Sequence, residues 1–257
     1  MKKVIIGVIA LGVIVLVGGL LAAFFFLGAI VKKGVETVGP NLTKTTVKLN
    51  LATVSVFNGS GELKGFEIGN PEGFKSPTAI KMGSVGLALE PKSALGKKVV
   101  IRSVRVEAPE ITYEAALGGS NIGKILDNLK STSSQEKSTG GSKSTGSQKG
   151  LQVDDFLITG GKIHVSASVL GGSTATLALP EIHLSNLGQG PEGITPAELS
   201  TKVFSELVSE VGKMVTQNAA KIGHDVTEKA KDVGTDVQDR LKKAGSGVSD
   251  IFKSKTK

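Results

Sequence analysis

Cysteine and tryptophan are both absent from this chain, which has one Tyr, three His and nine Phe. Without cysteine there is no disulfide, no thiolate metal site and no thiol nucleophile. An oxidising compartment is not thereby excluded; the fold simply does not exploit one. So few aromatics leave little to stack on nucleic-acid bases. Lys+Arg 31 outnumber Asp+Glu 23, for a formal net charge of +8. That charge suits nucleic acid or anionic lipid alike. The apolar segment described next makes lipid the nearer partner, and no nucleic-acid partner is expected.

Charge is also missing locally. From Val4 to Val31 no residue is charged or strongly polar, and lysines flank both ends at Lys2, Lys3, Lys32 and Lys33. About 28 apolar residues make a helix of about 42 Å, enough to cross a hydrocarbon core of about 30 Å with tilt. A signal-peptide core is shorter and ends at a small-residue cleavage site. Ala22-Ala23 is a weak version of such a site, and Phe24-Phe25-Phe26 carries the apolar run past it. The expectation is an uncleaved anchor over 1–33, with the N-terminus inside and the body outside. Lysines at both ends give the positive-inside rule little to act on.

Catalytic patterns are missing too. Gly118-x-x-x-x-Gly123-Lys124 resembles a phosphate loop, but Ile125 stands where the magnesium-binding Ser or Thr belongs. Gly59, Gly61 and Gly65 have the wrong spacing for a dinucleotide loop and read as a hairpin. His164, His183 and His224 have no i+4 His and no Cys partner, so no metal is expected. Asp154 and Asp155 are adjacent on a strand and therefore point to opposite faces. No G-x-S-x-G elbow occurs. Asn41 and Asn58 begin glycosylation-type triplets, a pattern frequent by chance. The expectation is no enzyme, no catalytic residue and no cofactor.

What is present after the anchor is alternation. Val47, Leu49 and Leu51 alternate with Lys48 and Asn50, and Asn58-Gly59 then marks a turn. Leu63, Phe66 and Ile68 form a second strand, with Gly65 reading as a bulge. Asn70-Pro71-Glu72-Gly73 is a loop. A third strand over 80–90 carries Val85, Leu87 and Leu89 on one face. A fourth over 98–107 carries Val100, Val104 and Val106. Ile111 and Tyr113 mark a fifth. Short connections predict an antiparallel meander. A short helix is expected over 121–130, then a Ser/Gly/Lys-rich flexible linker over 131–149. Strands resume at 153–158, at Ile163 and Val165 after the Gly160-Gly161 turn, and over 174–187.

The C-terminal part has a different period. Thr195-Pro196-Ala197-Glu198 reads as a capping box with Pro at the first helical position. Beyond it the chain repeats every eleven residues: Val211-Gly212, Ile222-Gly223, Val233-Gly234, Ala244-Gly245. Phe204 and Val208 look like an earlier, weaker copy. An eleven-residue period keeps an apolar stripe nearly straight along a helix. The stripe and its edge supply candidate membrane-surface residues Val215, Val226, Lys229, Val237, Arg240 and Leu241. Docking of this helix on its own β-domain, or pairing with a second copy, is the equally weighted alternative.

The stretch Asn70-Pro71-Glu72-Gly73-Phe74, then Leu95-Gly96-Lys97, Ala108-Pro109-Glu110-Ile111 and Ser120-Asn121-Ile122, in that order and spacing, resembles the N-terminal region of AsmA-like envelope proteins. Leu151 to Val165 resembles its continuation. That family is similar to bridge-like lipid-transfer proteins, whose curved sheets form apolar grooves. The resemblance implies envelope lipid homeostasis without catalysis.

The reading is therefore a mainly β fold with α: an N-terminal transmembrane helix, an antiparallel curved sheet and a long C-terminal amphipathic helix. The parts are an anchor over 1–33, a β-domain over 34–130 and 150–190 interrupted by the 131–149 linker, and the repeat helix over 195–257. Val85, Leu87, Leu89, Val104, Val106, Ile163 and Val165 are the candidate lipid groove. Partners would be membrane lipids, and a second copy or an envelope protein. The location would be the inner membrane, single-pass, with the body on the periplasmic side. The rival is an interaction protein with a closed β core.

Overall fold

The computed structural model describes residues 26–55, 57–116, 119–138, 149–166 and 174–223. The first helix, α1, spans 26–43. Then come β1 Val47–Ser55, β2 Ser60–Gly69, β3 Thr78–Leu89, β4 Lys98–Glu107, β5 Glu110–Ala116, the short β6 Gly119–Ser120, α2 Asn121–Ser138, β7 Gly150–Thr159, β8 Lys162–Ser166, β9 Thr174–Ala178, β10 Ile182–Leu187 and α3 Pro196–Gln217. Most of the 1–33 anchor lies outside the described residues. Among the described residues, no helix is long and apolar enough to cross a membrane.

The strands form one sheet, curled as a half-barrel. β1 to β4 are an antiparallel meander, as the short connections predict, but β5 returns to pair with β3 and not with β4. The next junction corrects the wholly antiparallel expectation. β7 lies parallel to β4, and β8 parallel to β5. The chain reaches β7 by way of α2, because parallel neighbours need a crossover and a hairpin cannot make one. α2 also runs past its expected end at 130, so the first eight residues of the expected linker, 131–138, are helical. Residues 139–148 lie outside the described set.

Three pairs of strands are each one longer strand with a crease. Partners keep a single offset from β4–β7 into β5–β8. The backbone bonds continue across the break: Ala108 N–H donates to Thr159 O at 2.8 Å, Lys162 N–H to Pro109 O at 2.8 Å, and Leu179 N–H to Gly161 O at 2.8 Å. At the same level in every strand, two consecutive residues face outward. They are Asn50-Leu51, Lys64-Gly65, Gly83-Ser84, Glu107-Ala108, Thr159-Gly160 and Pro180-Glu181. Inward residues on either side are thus three apart: Leu49 and Ala52, Met82 and Val85, Val106 and Pro109, Ile158 and Gly161. Strict alternation would have sent one half of each strand's apolar set to the solvent side. Gly65, Ala108 and Gly160 take positive φ of 62°, 47° and 65° to make the crease.

Below the crease, cross-strand partners Val47, Ile68, Ile80, Ile111, Ile163 and Leu177 form a complete buried row. α2 packs against β5 at this end, burying Ile122, Ile125 and Leu129. α3 packs on α2 and touches β7 and β10. It opens on the expected capping box: Glu198 N–H donates to Thr195 Oγ1 at 3.1 Å, and Thr195 N–H to Glu198 Oε2 at 3.0 Å. α1 runs beside the free edge of β1. Glu36 Oε1 accepts from Leu49 N–H at 3.2 Å, and Lys32 Nζ donates to Asn50 O at 3.1 Å. A helix over an edge strand keeps other strands from adding there.

A buried polar network closes the lower end. The Glu114 carboxylate accepts from the Lys75 and Ser76 amides at 2.8 and 2.9 Å. Asn121, fully buried, accepts from Glu114 N–H at 2.9 Å and donates to Asn70 Oδ1 and Thr112 O, both at 2.7 Å. Two of the sequence segments that carry the family resemblance, at 70–74 and 120–122, therefore touch each other.

Three substitutions test these features. Gly65→Ala places a methyl against the Asn50 side chain at positive φ and should cost about 1–3 kcal/mol. Gly83→Ala, in the same row with nothing near its added methyl, should cost under about 0.5 kcal/mol. Asn121→Ala leaves several buried polar groups unpaired and should cost about 3 kcal/mol. Thermal unfolding followed by circular dichroism reads all three.

Candidate functional site

The curled sheet has one apolar face, and its burial varies from row to row. The lowest row is wholly buried. The row just above the crease, Ala52, Leu63, Val85, Val106, Ile158 and Ile182, is buried except for half-buried Leu63. In the next row up, Val104 is buried while Val54, Gly61, Leu87, Phe156 and Leu184 are half-buried. Beyond it the next cross-strand row, Leu89, Ile101, Val153 and Leu187, is apolar again: Val153 is fully buried, and Ile101 and Leu187 pack against the core. The least covered row of the apolar face is thus the one holding Leu87, Phe156 and Leu184, between buried residues on either side.

The structure brings five of the seven expected groove residues onto this upper half. Val85 is the cross-strand partner of Val106, and Leu87 of Val104. Leu89 pairs with Ile101 after a register shift, at the end of the strand. Ile163 and Val165 lie on the same face below the crease, where both are buried. Ile163 sits between Ile111 and Leu177, and Val165 between Tyr113 and Ala175. Sequence reasoning missed Phe156 and Leu184. Their alternation with Ile158 and Ile182 is visible in the sequence, but the parallel pairing that sets them beside Val104 is not.

Among the expected membrane-surface residues, Val215 is half-buried and packs against the core. Val226, Lys229, Val237, Arg240 and Leu241 lie outside the described residues. The weaker repeat copy at Phe204 and Val208 also packs into the core, with Leu207 and Val211 buried beside it. For its described length, α3 is thus a docked helix.

The opposite face is polar. Asp155 meets His183 Nε2 at 2.5 Å and pairs with Arg105. The His183 hydrogen bond, and then that from Arg105, hold the Asp155 carboxyl below the usual range. Asp154 and Asp155 lie between core-packed Val153 and Phe156, which are three apart, so the expectation that the two aspartates take opposite faces does not follow from the strand. His164 meets Thr176 Oγ1 at 3.2 Å on the polar side. Gly123 and Lys124 open α2, where Ser120 Oγ accepts from Gly123 N–H at 3.2 Å. Among the described residues no group of three or more His, Asp or Glu is placed to hold a metal. What the arrangement offers chemically is a one-sided apolar surface, closed at its lower end and half-buried along the Leu87–Phe156–Leu184 row.

No curated protein matches the chain. A family model does: that of the AsmA family matches residues 61–201, from β2 into α3 and more than half of the sequence. The matched stretch holds the crease, the α2 crossover and the Asn70–Glu114–Asn121 network. On that evidence, the chain belongs to the AsmA family.

Proposed function

We propose that this is a membrane-anchored, non-catalytic protein that holds lipid acyl chains against the upper half of its apolar sheet face, in support of envelope biogenesis. Envelope association follows from the family. The lipid reading is carried by one observation, the half-buried row of Leu87, Phe156 and Leu184 around buried Val104. A soluble sheet gains by covering such a row, and an acyl chain covers it without needing any polar partner. Binding is apolar burial at about 25 cal/mol per Å². The apolar run from Val4 to Val31 supports an inner-membrane anchor, with the body on the periplasmic side.

A second reading has its own support. The rows below the crease and the described part of α3 form a closed core, as a purely structural or partner-binding protein would have. The two readings differ only in what covers the upper row.

A photo-crosslinking residue separates them in the full-length chain in cells. Benzoylphenylalanine at Phe156 should give phospholipid adducts, while the same group at outward-facing His183 should not. Leu87→Asp with Val104→Asp should lower the Phe156 adduct at least about tenfold, since each buried aliphatic side chain contributes roughly 1.5–3 kcal/mol. Equal adduct yields at 156 and 183, read by mass spectrometry, would sink the lipid reading in favour of the closed core.

A further inference from the structure

Two of the most exposed large apolar side chains lie on turns at the same end of the sheet. Phe57, 84% exposed, sits in the β1–β2 turn; Leu95, 92% exposed, ends the single 3-10 turn Pro91–Leu95 between β3 and β4. The two turns are tied by a hydrogen bond from Leu89 N–H to Gly59 O at 2.5 Å. Isolated exposed apolar residues need no explanation, but neighbours on two linked turns form a patch.

Three further features sit at this same end of the sheet. The half-buried row lies on this side of the crease, with only the Leu89–Ile101–Val153–Leu187 row between it and the turns. Lys92, Lys97, Lys98, Arg102 and Lys149 stand around this end, against Glu90, Asp154, Glu192 and Glu198. Lys97 pairs with Glu192 at 3.0 Å, and Lys98 donates to Gln189 O and Gly190 O at 3.3 and 2.8 Å. Lys149 donates to Ala94 O. Glu90 is engaged by Arg102. Finally, the chain enters α1 here: Gly28 lies against Ala52 near the end of β1, while Gly39 lies against Val47 at its start. Phe26 and Ile30, on that first turn, are 64% and 63% exposed. The uncharged run that leads into Phe26 starts at Val4.

We propose that this end of the sheet docks on an anionic bilayer surface, with Phe57 and Leu95 in the headgroup–acyl boundary and the lysines among lipid phosphates. The proposal rests on the anchored reading above and deepens it. An apolar run feeding α1 at this end brings the two turns to a membrane rather than to a protein. Aromatic and aliphatic tips rimmed by lysines suit that boundary. The opposite end, closed by the Asn70–Glu114–Asn121 network, has no such pair among the described residues. Docked in this way, the Leu87–Phe156–Leu184 row lies beside the leaflet and receives an acyl chain without its crossing water.

The absence of tryptophan makes the test direct. Phe57→Trp and Leu95→Trp each give the full-length chain a single indole at an exposed site, and Phe74→Trp gives a control in the β2–β3 loop at the other end. The chains are reconstituted in phosphatidylcholine vesicles containing phosphatidylglycerol, with or without brominated acyl chains. Emission from the indole at position 57 or 95 should be blue-shifted and quenched about twofold by bromine, and that from position 74 should be unaffected. Lys92→Glu with Lys97→Glu should weaken the quenching, as should omitting phosphatidylglycerol. Quenching at positions 57 and 95 no greater than at position 74 would overturn the proposal. If that happens while the Phe156 lipid adduct persists, docking falls and lipid binding stands. Quenching without the adduct keeps docking and removes the groove.

Discussion

Everything in this domain depends on six strands breaking their alternation at one level. A bulge in a single strand would shift its register against both neighbours. Here each strand inserts its extra outward residue in the same row, so the pairs on either side of the break keep one offset. The ladder stays bonded through the crease while the sheet bends across it. Leu49 and Ala52, or Ile158 and Gly161, then face the same side although an odd number of residues separates them. Without the crease, the Ile80–Ile111–Ile163 row and the Val85–Val106–Ile158 row would lie on opposite faces. One helix layer could not cover both.

The crease also divides the face into halves with different fates. Below it, α2 completes a close-packed core, and Asn121 and Glu114 fasten the 70–76 loop over the end. Above it the covering thins, and the side chains of Leu87, Phe156 and Leu184 are left half-covered. Sealing one end needs specific polar partners, because a buried carboxylate such as that of Glu114 is tolerated only when hydrogen-bonded. The asymmetry follows from where the crossover helix lands, and α2 lands on β5.

Much of this is legible in the sequence, and the illegible parts share a cause. Strand faces such as Val85–Leu87 and Val104–Val106 follow from alternation, the bulge at Gly65 from a glycine inside a strand, and the α3 start from Thr195 and Glu198. Local signals settle local questions. Gly160-Gly161 reads as a turn between strands, whereas it creases one strand, because the sequence cannot show that Ala108-Pro109 lies beside it. The parallel pairing is hidden for the same reason: it depends on α2, whose second half is built from Ser, Thr and Gln without an apolar stripe. Glu114 looks like an exposed strand position because the loop that buries it comes from about forty residues away. The Phe156–Leu184 part of the candidate site needs both the parallel junction and the crease, so no reading of single strands could assemble it.

Length sets what such a face can do. A row crosses six long strands, and five steps of about 4.8 Å give about 24 Å. That is shorter than the roughly 30 Å hydrocarbon core of one bilayer. A row of this length cannot reach from one membrane to another along its own sheet. Extension of the row requires added strands, and the β1 side is blocked by α1 through Lys32 and Glu36. Among the described residues nothing pairs with the outer side of β9 and β10. Growth of the sheet is therefore one-directional. A longer apolar path would have to begin at Thr174–Leu187, the outer edge of the described sheet.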